Sequence, residues 1–200
     1  MKMSTITTTE VQAIKTNVRT VFESASLIEL AEGMAWYANA HNILAAVAIR
    51  HKVTTRVACG ICAALSPGSP WERNLQDVQE FLRNPKAAVG VYGRRNRDKA
   101  KRILDREEPL DVLGGQKVRS FYLNLVSPTE DLAVTVDRHS KCLSFGITSE
   151  RDSNAIVTRA EYQIVEQVTR ELAEELRILP LQLQAVTWTV WRNKWGGVKS

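Results

Sequence analysis

Leu113-Gly114-Gly115-Gln116-Lys117-Val118-Arg119-Ser120-Phe121 reads as a tight glycine turn that opens a helix, and the first turn of that helix carries an amine. Twenty residues after the lysine comes Val136-Asp137-Arg138-His139, a lone carboxylate that follows a short apolar connector. The first N–H groups of a helix have no partner inside it, and the helix dipole places positive potential beside them, so such a turn suits a phosphate. An amine nucleophile beside a carboxylate, on a helix N-terminus that can hold a phosphate, is equipment for chemistry at a sugar carbon of DNA.

Outward from this stretch the chain is patterned as helices. Pro109 precedes the glycine turn, Val118 to Leu125 forms the following helix, and Ser127-Pro128 closes it. Thr7 and Glu10 have capping-box spacing, and Val11, Ile14, Val18, Val21 and Phe22 then recur at helical intervals. A second apolar pattern runs from about Ile28 through Met34, Tyr37, His41 and Leu44 to Ile49, and a third, nearly all apolar, from Val53 to Leu65. The third reads as a central buried helix. Ser66-Pro67-Gly68-Ser69-Pro70 breaks the chain, and Trp71, Leu75, Val78, Phe81 and Leu82 restart the period before Asn84-Pro85 ends it. Short helical pieces are expected over Ala87 to Tyr92 and Asn96 to Leu104. Ala133-Val134-Thr135-Val136 has strand character but is too short for a sheet of its own, so it reads as an extended connector. Arg138 to Phe145, Thr158 to Leu176 and Leu181 to Asn193 complete the pattern, with Pro180 at a helix start where its missing N–H costs nothing. The expected fold class is all-α, one helical domain over residues 1–200. Residues 1–52 are its N-terminal helices.

The 200 residues and 44% hydrophobic content suit a folded globule with a core of its own. No apolar run is long enough to cross a bilayer, and the opening Met1-Lys2-Met3-Ser4-Thr5-Ile6 lacks the apolar core of a signal peptide. A cytoplasmic protein with no membrane partner is therefore expected. Three cysteines without a secretory signal point to reduced thiols. From Arg83 to Arg106 there are nine basic residues against Asp98 and Asp105, a local excess greater than the net charge of +5 for the whole chain. Charge focused in this way suits a polyanion, because each neutralised phosphate releases counterions. A solvated helix face is the plainer alternative.

Gly115-Gln116-Lys117-Val118 and Val136-Asp137-Arg138-His139 resemble, in order and at nearly the same separation, the two halves of a signature of the helix-hairpin-helix DNA glycosylases. That superfamily includes endonuclease III and the 8-oxoguanine DNA glycosylases, in which a hairpin Leu-Pro-Gly-Val-Gly-x-Lys opens a helix and an apolar stretch leads to Val-Asp-x-His. Val57 to Leu75 is similar to the family's apolar helix ending in Leu-Ser before a substrate loop. Leu183-Gln184-Ala185-Val186-Thr187-Trp188 looks like the Ala-Gln-Ala-Val segment that forms one side of the base pocket in 8-oxoguanine glycosylases. The likeness covers residues 53–192, with the hairpin at 110–120. Leu113 stands where the family hairpin has its first glycine, and Gly68 stands where the family has a glutamine that probes the opposite strand. There is no terminal four-cysteine cluster, so the resemblance implies no iron–sulfur site. The loop from Ser66 to Asn74 and the turn from Leu113 to Tyr122 are also similar to small bacteriophage proteins, and phage proteins of this fold class include enzymes that process hypermodified thymines.

The resemblance implies a DNA N-glycosylase that flips a damaged or modified base out of the duplex, with strand-cleaving lyase activity if the lysine is used. Lys117 and Asp137 would be the catalytic pair. Lys117, once neutral, would attack C1′ of the deoxyribose and form a Schiff base, and Asp137 would stabilise the positive charge on the sugar. Arg119 or Arg138 could help lower the amine's proton affinity. Gly114, Gly115, Gln116 and Arg119 would hold the DNA backbone, together with Arg94, Arg95 and Arg97 from the basic segment and Arg73 and Asn74 after the Ser-Pro-Gly break. Trp188, Gln184, Ser66 and His139 would line the base pocket. Each has an ordinary reading beside it: a solvated lysine, an N-cap aspartate, a structural histidine, a tryptophan packed on the core. Trp191 and Trp195 recur with Trp188 at helical spacing, so one face of that helix is also a core face. Cys59-x-x-Cys62 with His139-x-x-Cys142 could form a zinc set, but Cys59 and Cys62 lie inside an apolar helical run, where small thiols pack as hydrophobes. The expected partner is double-stranded DNA, bound by a monomer with no cofactor and no metal, in the host cytoplasm if the chain is phage-encoded. A DNA base-modifying transferase of the same fold and a non-catalytic DNA-binding module are the alternatives.

Overall fold

The computed structural model describes residues 7–148 and 156–195, without the side chain of Trp195. Every regular element among these residues is helical: α1 (Thr8–Glu23), α2 (Leu27–His51), α3 (Thr55–Leu65), α4 (Trp71–Arg83), α5 (Arg94–Leu104), α6 (Pro109–Val112), α7 (Gln116–Val126), α8 (Arg138–Phe145), α9 (Arg159–Leu176) and α10 (Pro180–Trp195). The protein is all-α. No helix among the described residues is long and apolar enough to cross a membrane. Read from sequence as one domain, the chain divides into two compact units, one made of residues 1–36 and 134–200 and the other of residues 37–133.

Unit 1 contains α1, the first part of α2, and α8, α9 and α10. Thr7 and Glu10 form the expected capping box, each satisfying a backbone N–H of the other. Thr158 and Glu161 do the same for α9. With their ends closed, the helices bury one apolar stripe each: Ile14 and Val18 from α1, Cys142 and Leu143 from α8, Val168, Leu172 and Ala173 from α9, Leu183 and Trp191 from α10. Each large side chain withdrawn from water in this way contributes about 1.5–3 kcal/mol before chain entropy is subtracted. The segment before α8 is extended, as its composition suggests, and Val134 and Val136 pack on Tyr162 and Val165 of α9. The Tyr162 hydroxyl donates to the Val134 carbonyl at 2.6 Å and accepts from the Val136 N–H at 3.3 Å, which fixes the approach to Asp137. Gly33 lets α2 meet α10 closely, because a Cβ there would lie 2.4 Å from the Cα of Val186.

Unit 2 is built around α3, whose residues from Ala58 to Leu65 are all buried. The expectation of a central helix holds. Leu44, Val78, Phe81, Ala100, Ile103, Tyr122 and Leu125 from the surrounding helices are buried with it. His41 Nδ1 lies 2.8 Å from the Leu125 carbonyl, and the Cys59 thiol reaches the same oxygen at 3.6 Å. Residues 87–92 form turns and loop rather than the expected helical piece. Gly90 and Gly93 adopt positive φ of 76° and 52°, and the buried Asp77 carboxylate accepts the Gly90 N–H at 3.1 Å, so a side chain from α4 takes the hydrogen bond a helix would have used.

Candidate functional site

The hairpin in unit 2 is a short α6, the turn Leu113-Gly114-Gly115, and α7. Leu113 is buried and anchors the turn, while Gly114 and Gly115 are exposed. Gly115 takes φ +82° and is the N-cap of α7 with no side-chain capping bond, and nothing lies within 4 Å of where its Cβ would be. The first turn of α7 therefore begins beside an uncrowded glycine, with Gln116 exposed. Arg119 points back and donates to the Leu110 carbonyl at 2.7 Å, tying α7 to α6. It is a clamp on the hairpin as well as a surface cation. The Lys117 ammonium lies 6.0 Å from the Phe121 ring centroid one turn along, at the outer limit of a cation–π contact. A second amine approaches from α5, since the Lys99 Nζ is 3.6 Å from the place a Gly114 Cβ would occupy.

The basic segment is partly neutralised within unit 2. Lys101 pairs with Asp105 and Arg102 with Glu107, while Arg97 donates to the Ala87 carbonyl at 3.4 Å. Arg94 reaches Asp98 only at 3.6 Å and Arg95 is exposed without an ion pair among the described residues, so these two present their charge outward. Arg73 donates to Asp77 at 2.9 Å and remains well exposed. Asn74 does not fit the DNA-binding role: it is 1% exposed, and its amide donates to the Cys62 carbonyl at 3.1 Å and lies 3.2 Å from the Cys62 sulfur. The helical period carries Asn74 inward, where it joins α4 to α3. Ser66 is likewise buried and donates to the Ala63 carbonyl at 2.9 Å, finishing α3. Cys59 and Cys62 are packed thiols, and burial pushes Cys59 up to about 12 and Cys62 higher still.

In unit 1, Asp137 is the N-cap of α8. Its Oδ1 accepts from the Ser140 N–H at 2.8 Å and faces the Ser140 hydroxyl at 3.2 Å, while its Oδ2 accepts the Trp188 indole N–H at 3.1 Å. The two readings of this residue, cap and site, are therefore compatible in one side chain. His139 meets Trp188 edge-on at 6.3 Å between centroids, Trp36 stands tilted at 6.4 Å, and the Arg192 guanidinium lies 5.2 Å from the Trp188 centroid. Gln184 is one turn before Trp188 on α10 and is buried. Asp137, His139, Gln184 and Trp188 thus share unit 1, whereas Lys117, Arg119, Ser66 and the hairpin glycines belong to unit 2. Trp36 belongs to no motif of the sequence. Its signal is Gly33 three residues earlier, an isolated glycine inside a helix, which marks a close backbone approach.

A family model described as a family of unknown function, DUF7178, matches residues 1–195. The chain belongs to this family. No curated protein and no solved structure matches it. The DUF7178 match spans the hairpin, Asp137 and Trp188, so every residue of the candidate site is part of the family region.

Proposed function

We propose that this DUF7178 protein is a DNA N-glycosylase of the helix-hairpin-helix type that excises a damaged or modified base from duplex DNA. The observation that carries the reading is Asp137: a half-buried carboxylate held by a helix N-terminus and by the Trp188 indole, beside a wall of Trp188, Trp36 and His139. An aromatic wall suits a base taken out of the stack, and a fixed carboxylate suits the positive charge that builds on the sugar as the C1′–N bond breaks. The departing base takes the bonding electron pair and then a proton. In unit 2, the N-terminus of α7, which begins after a glycine with no side-chain cap, supports phosphate binding by backbone N–H groups, and Arg94, Arg95 and Lys99 add sequence-independent attraction.

The test uses duplexes carrying a panel of damaged and modified bases, with abasic product measured after alkaline cleavage. Wild-type protein should release a base from at least one, and Asp137→Asn should slow that release by about 100-fold or more while leaving the fold intact, since asparagine caps helices well. Borohydride reduction assigns the attacking group. A cross-link lost in Lys117→Gln makes the lysine the nucleophile, and excision without a cross-link assigns attack to water. Conversion of a modified base without an abasic product would replace excision by transfer, and binding without any product would leave a non-catalytic module.

A further inference from the structure

The loop between α4 and α5 presents two adjacent apolar side chains to solvent, Val91 at 58% and Tyr92 at 62% exposure. Single exposed hydrophobics are ordinary, but this pair sits at the tip of a loop bracketed by two positive-φ glycines. The tip is supported from below. Gly90 is held by Asp77, which also holds Arg73, and Gly68 of the preceding loop gives Val91 and Tyr92 room, its absent Cβ falling 3.3 Å from Val91 Cγ1 and 3.5 Å from Tyr92 Cε2. Immediately after the tip come Arg94, whose side chain is 87% exposed, and Arg95. The first turn of α5 holds no acidic residue, so these cations sit where the helix dipole disfavours them. Beneath the loop the Asn96 amide nitrogen has no hydrogen-bond partner among the described residues, although the residue is only 4% exposed. An apolar tip in water, cations against a dipole and an unsatisfied buried amide all burden the free chain, and they meet within six residues.

We propose that Tyr92, with Val91 beside it, is a stacking platform for an unpaired or displaced base, and that Arg94 and Arg95 grip the adjoining phosphates. Nucleic acid is the partner that offers both a flat apolar face and a line of negative charge, matching aromatic and guanidinium groups side by side. The proposal rests on the reading of the protein as DNA-binding and adds to it contact residues other than Asp137 and those of the hairpin.

The experiment measures binding of fluorescein-labelled duplex DNA with one abasic site, a fully paired duplex and polyglutamate, by anisotropy across a salt series. Wild-type protein should prefer the abasic duplex to both controls. Tyr92→Ala should weaken that binding about tenfold, with Tyr92→Phe close to wild type. Replacing Arg94 and Arg95 together by Gln should reduce the slope of log Kd against log salt by about 1.8. Because Tyr92 is exposed, the variant's unchanged circular dichroism is expected and is checked. Wild-type affinity in Tyr92→Ala, no binding of DNA, or equal binding of polyglutamate overturns the proposal. Tyr92-dependent binding without excision overturns only the glycosylase reading, and excision with Tyr92-independent binding overturns only this one.

Discussion

At Asp137 one carboxylate oxygen closes the N-terminus of α8 and the other accepts the Trp188 indole N–H, so truncation removes two bonds together. Asp137→Ala should therefore lower stability by about 1–2 kcal/mol in urea denaturation, and Asp137→Asn by less, because the single asparagine oxygen keeps the cap while its NH2 cannot accept from the Trp188 indole. Equal stability of the alanine variant and wild type would show that neither bond contributes. Gly33 makes the opposite kind of demand, for space. A methyl group there would meet the Val186 backbone rather than a flexible side-chain end, so Gly33→Ala should cost at least about 1–3 kcal/mol, and an unchanged melting temperature would rule out so close a packing of α2 on α10. Of these two residues, Asp137 was legible in the sequence, because a carboxylate before a helical run names its own role. Its bond to Trp188 was not, since the partner is 51 residues away and no periodicity within one helix reaches that far.

Between α8 and α9 the link is Lys141, a largely buried ammonium that pairs with Glu161 at 2.9 Å and donates to the Ile156 carbonyl at 3.0 Å. Burial works to raise the Glu161 carboxyl, but bonds from Lys141 and from Thr158 outweigh it and hold the group below its ordinary value. A lowered carboxylate stabilises the folded state fully above its unfolded pKa, near 4.5, and that contribution is lost as the pH falls through the lowered folded value. Glu161→Gln should cost about 1–3 kcal/mol at neutral pH, and its deficit relative to wild type should shrink as the pH drops below that range in parallel urea titrations. A deficit that stays constant with pH would place the effect in packing instead. Helix starts such as Thr7 and Thr158 were legible because capping is local, and α3 was legible because its residues from Val57 to Leu65 are apolar or small on every side. Residues 87–92 have a helical pattern but fold as turns and loop, because what shapes them is Asp77, thirteen positions before Gly90 and on another element.

Across the whole molecule, charge and topology divide along the same line. Residues 37–133 contain 15 Lys and Arg against 10 Asp and Glu, and the remaining residues contain 12 of each, so the entire net charge of +5 belongs to unit 2. That asymmetry was visible as the basic run, whereas the division into two units was not, because unit 1 is assembled from both ends of the chain and no linker composition marks the boundary. Discontinuity has an energetic consequence. Unit 2 is one continuous segment, but unit 1 must bring residues 1–36 and 134–200 together across all of residues 37–133. If unit 2 were unfolded, closing a loop of that length would cost unit 1 about 4 kcal/mol in chain entropy, a penalty that a folded unit 2 removes. The three buried thiols report on the two units separately, Cys142 on the first and Cys59 and Cys62 on the second. All three should resist alkylation at neutral pH in the native protein, since they are shielded and Cys59 is pushed up to about 12. With rising urea, mass spectrometry should find Cys142 alkylated at the same concentration as Cys59 and Cys62 or at a lower one. Labelling of Cys59 and Cys62 while Cys142 stays protected would mean that unit 1 survives the opening of unit 2, and the connectivity argument would then fail.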